Sequence, residues 1–434
     1  MPARLALATL AGLAALAAAG PVFADAVAYK GTLGGAAIGV ELSAPAGTGE
    51  KIVGRYFYAN KSIDIPLDAV ESHNGHTDLA EEKPCTDDTC TASGDGTPAP
   101  VGAQWHLDAS ADGKTLTGTW TANGKMLPLK LTRMGTRKLS DGFDGTPGDL
   151  AAIVDDIAGQ TTPLTATSSP YDYLRMQTPP TEGPTTTWGD TAFKYVTNPH
   201  TRFAYPRIVA AGSTDIAAAN GYLQQRHWQA DIAALSCASM AYQGLGWSET
   251  TTESADDLGS WPDEKLEVTY LSPTVMSFDE SGSIYCGGAH PDNHDDPVNV
   301  DVRLGKELNP SVIFNGWIPT PLYDGTPSDL KSAQADPDNY SWAADDALVD
   351  FVVKHLPPDE VATDEDSCAS RDSIQQSLAI SFVQGDKVRF GLTAMPAVAS
   401  ACNGKLVDVP LSEAKALLTP GAADYFPSLK NSSP

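Results

Sequence analysis

Between residues 27 and 134, apolar side chains recur at every second position, and this period of two constrains the fold more than any other feature of the chain. "AAIGVELS" alternates through Ile38, Val40 and Leu42, and "GRYFYANKSIDIPL" continues through Tyr56, Tyr58, Ile63, Ile65 and Leu67. "AQWHLDA" offers Trp105 and Leu107. "TLTGTWTANGKMLPLKL" runs through Leu116, Gly118 and Trp120, turns at Asn123–Gly124, and returns through Leu127, Leu129 and Leu131. A side-chain period of two puts one face of each strand in a core, and an Asn-Gly pair between two such runs is a hairpin turn. The spacing therefore predicts a small antiparallel barrel or sandwich over 25–135. Its tyrosines and tryptophans are expected to serve as core and hairpin pairs rather than as a sugar platform.

What precedes this run reads as a targeting segment. Arg4, an Ala/Leu-rich stretch and "PVFADA", with Val22 and Ala24 in A-x-A spacing, predict a signal peptide over 1–24 and a mature start near Asp25. No cysteine stands at the expected cleavage point, and no later stretch has the length and apolarity of a membrane span. The expected location is periplasmic or secreted, with no membrane insertion. The net charge is −27, or −28 once Arg4, the one charged residue of 1–24, is removed. That balance repels nucleic acid and anionic membranes and favours a cationic partner.

All six cysteines, Cys85, Cys90, Cys237, Cys286, Cys368 and Cys402, follow the targeting segment. An even number in an oxidising compartment predicts disulfides, for which ~15 pairings of six thiols exist. Cys85 and Cys90 share the short loop "CTDDTC". Cys368 and Cys402 each lie 17 residues from Gly385 in the expected turn "VQGDK", which sets them side by side in a hairpin. Cys237 and Cys286 remain, and would tie a helix to "CGGAH".

Residues 136–190 are rich in Thr, Pro, Gly and Ser and read as a linker, with one short helix at "GDLAAIVDDIAG". Residues 191–422 mix helix and strand, and 423–434 form a tail. The strongest helical pattern is "STDIAAANGYLQQRHWQADIAALSCASMAY", with Thr214 as its cap and Ala219, Leu223, His227, Ala234 and Cys237 in one stripe. "LEVTYLS", "TVMSFDES" and "VNVDVRL" predict strands, "SWAADDALVDFVVKHLPP" a second helix, "LAISFVQGDKVRFGL" a hairpin and "LSEAKALLTP" a last helix. Helices and antiparallel strands in separate runs predict an α+β domain.

The stretch of most chemical interest is "SIYCGGAHPDNHDD" at 283–296. A metal reading takes His290 and His294 with Asp292, Asp295 and Asp296, but Pro291 and Pro297 argue against the helix on which such spacing works best. A catalytic reading lacks a nucleophile, since Cys286 is expected to be bridged and no G-x-S-x-G occurs. The structural reading covers more residues: Gly287 and Gly288 permit close backbone approach, Ala289 keeps the crossing tight, and His290 braces the junction while facing a groove. No catalytic residue, metal site or cofactor is singled out.

The segments "FAYPRIVAAGSTDIAAANGYLQQ", "TVMSFDESGSIYCGGAHPDN", "VNVDVRLGKELNPSVIF" and "VRFGLTAMPAVASACNGKLVDVPLSEAKALL" stand in an order that resembles the extracytoplasmic domain of lysozyme-sensing anti-sigma factors. A related domain accompanies secreted peptidoglycan deacetylases. The resemblance spans about residues 200–420 and is most specific at GGAHP; the first domain resembles a β module that sometimes precedes it. It implies a binding domain without catalytic machinery, whose partner is a cationic lysozyme-like protein or a cell-wall fragment. This chain departs from the anti-sigma pattern in carrying no membrane helix and no cytoplasmic segment, so transmembrane signalling is not expected. The expected binding residues are Gly287, Gly288, Ala289, His290 and Asp292. The alternative is an envelope hydrolase acting on peptidoglycan or glycans through His290 and Asp292.

Overall fold

The computed structural model describes residues 25–44, 51–70, 76–84, 100–140, 142–242, 264–284, 286, 292–322, 326–358 and 368–430. The signal peptide expected over 1–24, Cys85 and Cys90, and Gly287, Gly288, Ala289 and His290 lie outside the described residues, as does the side chain of Asp292.

The alternating run folds into a closed barrel of eight antiparallel strands in sequence order. They are β1 (Asp25–Leu33), β2 (Ala36–Ala44), β3 (Gly54–Tyr58), β4 (Ile65–Ala69), β5 (His76–Glu82), β6 (Val101–Ala109), β7 (Thr115–Ala122) and β8 (Lys125–Lys138). β8 pairs back onto β1, Asp25 opposite Lys138, so the barrel has no free edge. Val40, Leu42, Tyr56, Leu67, Leu79, Trp105, Leu107, Leu129 and Leu131 fill its interior. Asn123 and Gly124 both take positive φ, 49° and 71°, as a two-residue hairpin turn requires. Trp105 and Trp120 face each other across β6 and β7, and their indole Nε1 groups both donate to Glu81, at 2.8 and 2.7 Å. The aromatic residues thus form a core pair anchored on one carboxylate.

Residues 142–180 hold more structure than their composition suggests. Helices α1 (Pro147–Ala151), α2 (Ile153–Ala158, ending at Gly159) and α3 (Pro170–Arg175) follow the barrel. They cover part of its outer face, where charge decides the packing. Arg55 donates to Glu41 (2.8 Å), Asp64 (3.1 Å) and Asp172 (2.8 Å). Arg137 donates to Glu41 at 2.8 Å, and Arg175 donates to Asp172 at 3.1 Å and to the Ser62 carbonyl. The Tyr171 hydroxyl donates to Asp64 at 2.7 Å, and its ring lies 4.3 Å from the Arg55 guanidinium. Three acids meet three guanidinium groups here, all of them buried. The Thr/Pro/Gly composition concealed this because the outside partners of the α3 charges, Arg55, Ser62 and Asp64, lie more than a hundred residues earlier in the chain.

Four sheets follow among the described residues. β9 (Thr181–Trp188), β10 (Thr191–Thr197) and β11 (Ala204–Ala211) form a sheet in the order β11-β10-β9. Helix α4 (Ala217–Ser239) packs against it and against a four-stranded sheet of β12 (Lys265–Leu271), β13 (Val275–Ile284), β14 (Asp292–Asp301) and β15 (Lys306–Glu307). Ala219 and Leu223 of α4 meet Met276, Phe278, Val298 and Val300 there. The helix starts three residues after Thr214, with Asp215 rather than Thr214 accepting from the Ala217 N–H at 3.0 Å.

β16 (Trp317–Pro321), α5 (Leu330–Ala335), β17 (Tyr340–Ala344), α6 (Asp346–His355) and α7 (Arg371–Ser377) come next, then β18 (Leu378–Val383), β19 (Lys387–Leu392), β20 (Gly404–Pro410) and α8 (Ala422–Tyr425). β18, β19 and β20 form one sheet, which packs on the face of the β12–β15 sheet opposite α4 through Tyr270, Val275, Ile380 and Phe382. Two expectations shift here. "SWAA" belongs to a strand, because Asp345 caps α6 by accepting from the Leu348 N–H at 2.9 Å. "LSEAKALLTP" gives only a 3-10 turn at Lys415–Leu417. The protein is mostly β, with the closed barrel first and further sheets after it. No helix among the described residues is long and apolar enough to cross a membrane.

Candidate functional site

β13 and β14 form one long hairpin, from Val275 opposite Asp301 to Ile284 opposite Asp292. Residues 287–290 fall between the two strands in sequence and lie outside the described residues. Two disulfides flank this end. Cys286 is bonded to Cys237 near the end of α4, with Cα atoms 5.0 Å apart. Cys368 is bonded to Cys402 in the 3-10 turn Ala397–Cys402. That turn meets the hairpin, since Asn293 Nδ2 donates to the Ser400 hydroxyl and Asn403 Nδ2 donates to the Asn293 carbonyl, both at 3.4 Å. Both expected long-range pairings are present, 368–402 argued from spacing and 237–286 as the pair that remained.

The outer half of the hairpin turns from apolar to acidic on both strands, through Asp279 and Glu280 on β13 and Asp295 and Asp296 on β14. Antiparallel register sets Glu280 opposite Asp296 and Asp279 opposite Pro297. Alternation then divides the acids between two faces. On one face a cleft of about 60 Å³ opens toward the β18–β20 sheet, lined by Asp279, Asp295, Ser381, Arg389 and Lys405. Arg389 donates to Asp279 at 2.7 Å and to Asp408 at 2.9 Å, and Lys405 also donates to Asp408 at 2.9 Å. On the other face Glu280 accepts from the Tyr205 hydroxyl and from Arg226, the latter at 3.1 Å. Thr393 donates to Asp296, and His294 Nε2 stands 3.1 Å from Glu264.

Carboxylates outnumber cations here, and their protonation equilibria respond. Burial, then Asp279 and Asp296, push the Asp295 carboxyl above the usual range. Burial also raises Asp279, against the pull of Arg389. The Glu264 hydrogen bond raises His294 and so favours its charged form. Burial leads in both acids, and in Asp295 the neighbouring carboxylates add to it.

The expected site residues divide as follows. Asp292 takes its place in β14, paired with Ile284. His294 and Asp296 of the metal reading are held by different partners, Glu264 and Thr393. Sequence reasoning missed Glu264, Asp279, Glu280, Arg389 and Asp408; the available signal was acid pairs on two consecutive strands, which needs strand register to interpret.

A second polar pocket of about 170 Å³ lies against α4 and includes His227, Asp231 and Arg207. Burial, then Arg207, lower His227 to about 3, and burial raises Asp231 to about 7. His227 Nε2 stands 3.5 Å from Asp231, and the Thr201 hydroxyl donates to Asp231 at 2.5 Å. A nucleophile relay needs the hydroxyl on the imidazole and the carboxylate behind it. Here the hydroxyl goes to the carboxylate, and the neutral ring stacks on Tyr205 at 5.1 Å. The arrangement orders a packed core histidine.

No family model, curated protein or solved structure matches this chain.

Proposed function

We propose that the protein is an exported, disulfide-bonded binding protein of the cell envelope, and that it docks a cationic partner on the acidic end of the β13–β14 hairpin beside Gly287–His290. In this reading residues 191–422 are an α+β binding domain, as in the extracytoplasmic domains they resemble, and the partner is a lysozyme-like protein. The observation that carries the reading is the unbalanced acid cluster of Glu264, Asp279, Glu280, Asp295 and Asp296 at the end of the hairpin. The paired cysteines and the net charge of −27 support it. Partner lysines or arginines would supply the charge that Arg389 and Arg226 do not.

The test is a binding titration with lysozyme and with muropeptides at ~0.15 M salt, where the screening length is ~8 Å. Lysozyme binding should weaken steeply with salt and fall in Asp295→Asn. Muropeptide binding without lysozyme binding would move the partner to the wall fragment. No binding beyond that of an unrelated protein of equal negative charge would end the reading.

A further inference from the structure

His-Thr-Asp at 76–78 and His-Leu-Asp at 106–108 repeat one pattern on neighbouring barrel strands. Antiparallel register makes the two copies face each other in opposite sense: His76 pairs with Asp108 and Asp78 with His106. The alternation of β5 and β6 sends Leu107 inward and leaves the four polar side chains together on the outer face. The two imidazoles stack at 5.1 Å; both histidines and Asp108 are about half exposed, and Asp78 about a third.

Their ring nitrogens are not equivalent. His106 Nδ1 lies 2.6 Å from Asp78, so it carries the proton and donates to that carboxylate. The lone pair is thereby left on His106 Nε2, which points toward Asp108 at 3.7 Å. His76 Nδ1 meets the same Asp108 oxygen. One nitrogen from each histidine and one oxygen of Asp108 all lie within 4.8 Å of one another. Tetrahedral zinc with bonds of ~2.0–2.1 Å sets its donors ~3.3 Å apart, so shifts of ~1 Å in exposed side chains would close the set. A carboxylate behind a ligating imidazole is also the usual outer partner of such a site, fixing tautomer and ring orientation.

We propose that His76, His106 and Asp108 bind one divalent transition ion of the zinc class on the outer wall of the barrel, with Asp78 positioning His106. Imidazole nitrogens select zinc, copper or nickel over magnesium and calcium, which prefer all-oxygen shells. Three protein ligands on an open surface leave a fourth position for water or for a donor from another molecule. The site is independent of the acidic hairpin.

The full chain, stripped by chelator and dialysed, is titrated with zinc chloride by calorimetry. The expected result is one equivalent bound, with no binding of magnesium at the same concentration. His106→Ala and Asp108→Asn should each weaken zinc by more than tenfold, and Asp78→Asn by ~10–100-fold through the outer partner alone. His294→Ala should leave binding unchanged. No zinc bound at 100-fold excess over protein, or binding that survives His106→Ala, overturns the proposal. Should His106→Ala misfold, the unmutated chain loaded with Co²⁺ decides: visible ligand-field bands and shifted His76 and His106 ring resonances support the site, and their absence overturns it.

Discussion

Two clusters of charge in this molecule invite comparison. Around Arg55, three carboxylates and three guanidinium groups interlock out of water between the barrel wall and α3. Around Asp295, carboxylates from β13 and β14 crowd one another in partial contact with solvent, and Arg389 is already shared between Asp279 and Asp408. The first cluster closes on itself, so its partners define how the helices seat on the barrel. The second carries more carboxylates than cations and stays in partial contact with solvent, so under the proposed function it is the part open to another molecule.

Three experiments sharpen or break this contrast. The largest effect is expected from Arg55→Ala, which leaves Glu41, Asp64 and Asp172 buried with only Arg137 and Arg175 to balance them. Removing one partner of a buried set costs ~3–5 kcal/mol, read as a lower urea midpoint. A loss under ~1 kcal/mol would erase the distinction. Acid should act on the same cluster. Burial alone would raise Asp172, but Arg55 and Arg175 outweigh it and hold the carboxyl at about 2. A depressed carboxylate contributes stability above its ordinary pKa of ~4, and that stability is lost as pH falls toward 2. Acid unfolding of the unmutated chain should therefore begin below pH ~4, and Arg55→Ala should move its onset to higher pH.

The second experiment replaces Cys237 and Cys286 together by serine. This bridge closes 49 residues of chain, and its loss is expected to cost ~2–4 kcal/mol by thermal or urea unfolding. If the hairpin end is the docking surface, partner affinity should fall with it. An unchanged affinity would place docking elsewhere.

The smallest effect carries the opposite sign. Asp295 is raised in the folded state, so its stabilising contribution is present at acid pH and is lost as pH rises through its folded pKa. Asp295→Asn removes that penalty, and at pH 7 should gain a few tenths of a kcal/mol after screening at this half-exposed position. A measurable loss of stability would mean that the second cluster is structural like the first. A gain accompanied by weaker lysozyme binding is the signature of a surface kept for function.

Much of the barrel was legible in the sequence because its signals are local. Alternation at Ile38, Val40 and Leu42 and the turn at Asn123–Gly124 each need only a few neighbouring residues to interpret. The Cys368–Cys402 pairing was legible for a related reason, since a turn at Gly385 folds two equal arms together. The charged contacts were not. Arg55 and Asp172 are 117 residues apart, and neither stands in a pattern that names the other. Likewise the two His-x-Asp triplets become one cluster only when β5 and β6 are set in register. GGAH drew notice for its composition, yet the acids that give its surroundings their electrostatic character come from the strands on either side.

The seam of the barrel also has a consequence for how the chain matures. The first strand completes its hydrogen bonds only with the eighth, Asp25 meeting Lys138. A polypeptide emerging amino end first therefore holds a half-made wall, with two raw edges, until more than a hundred further residues have arrived. Assembly of this part is governed by delivery of its last strand, and a truncation before that point would yield an adhesive sheet in place of a sealed cylinder.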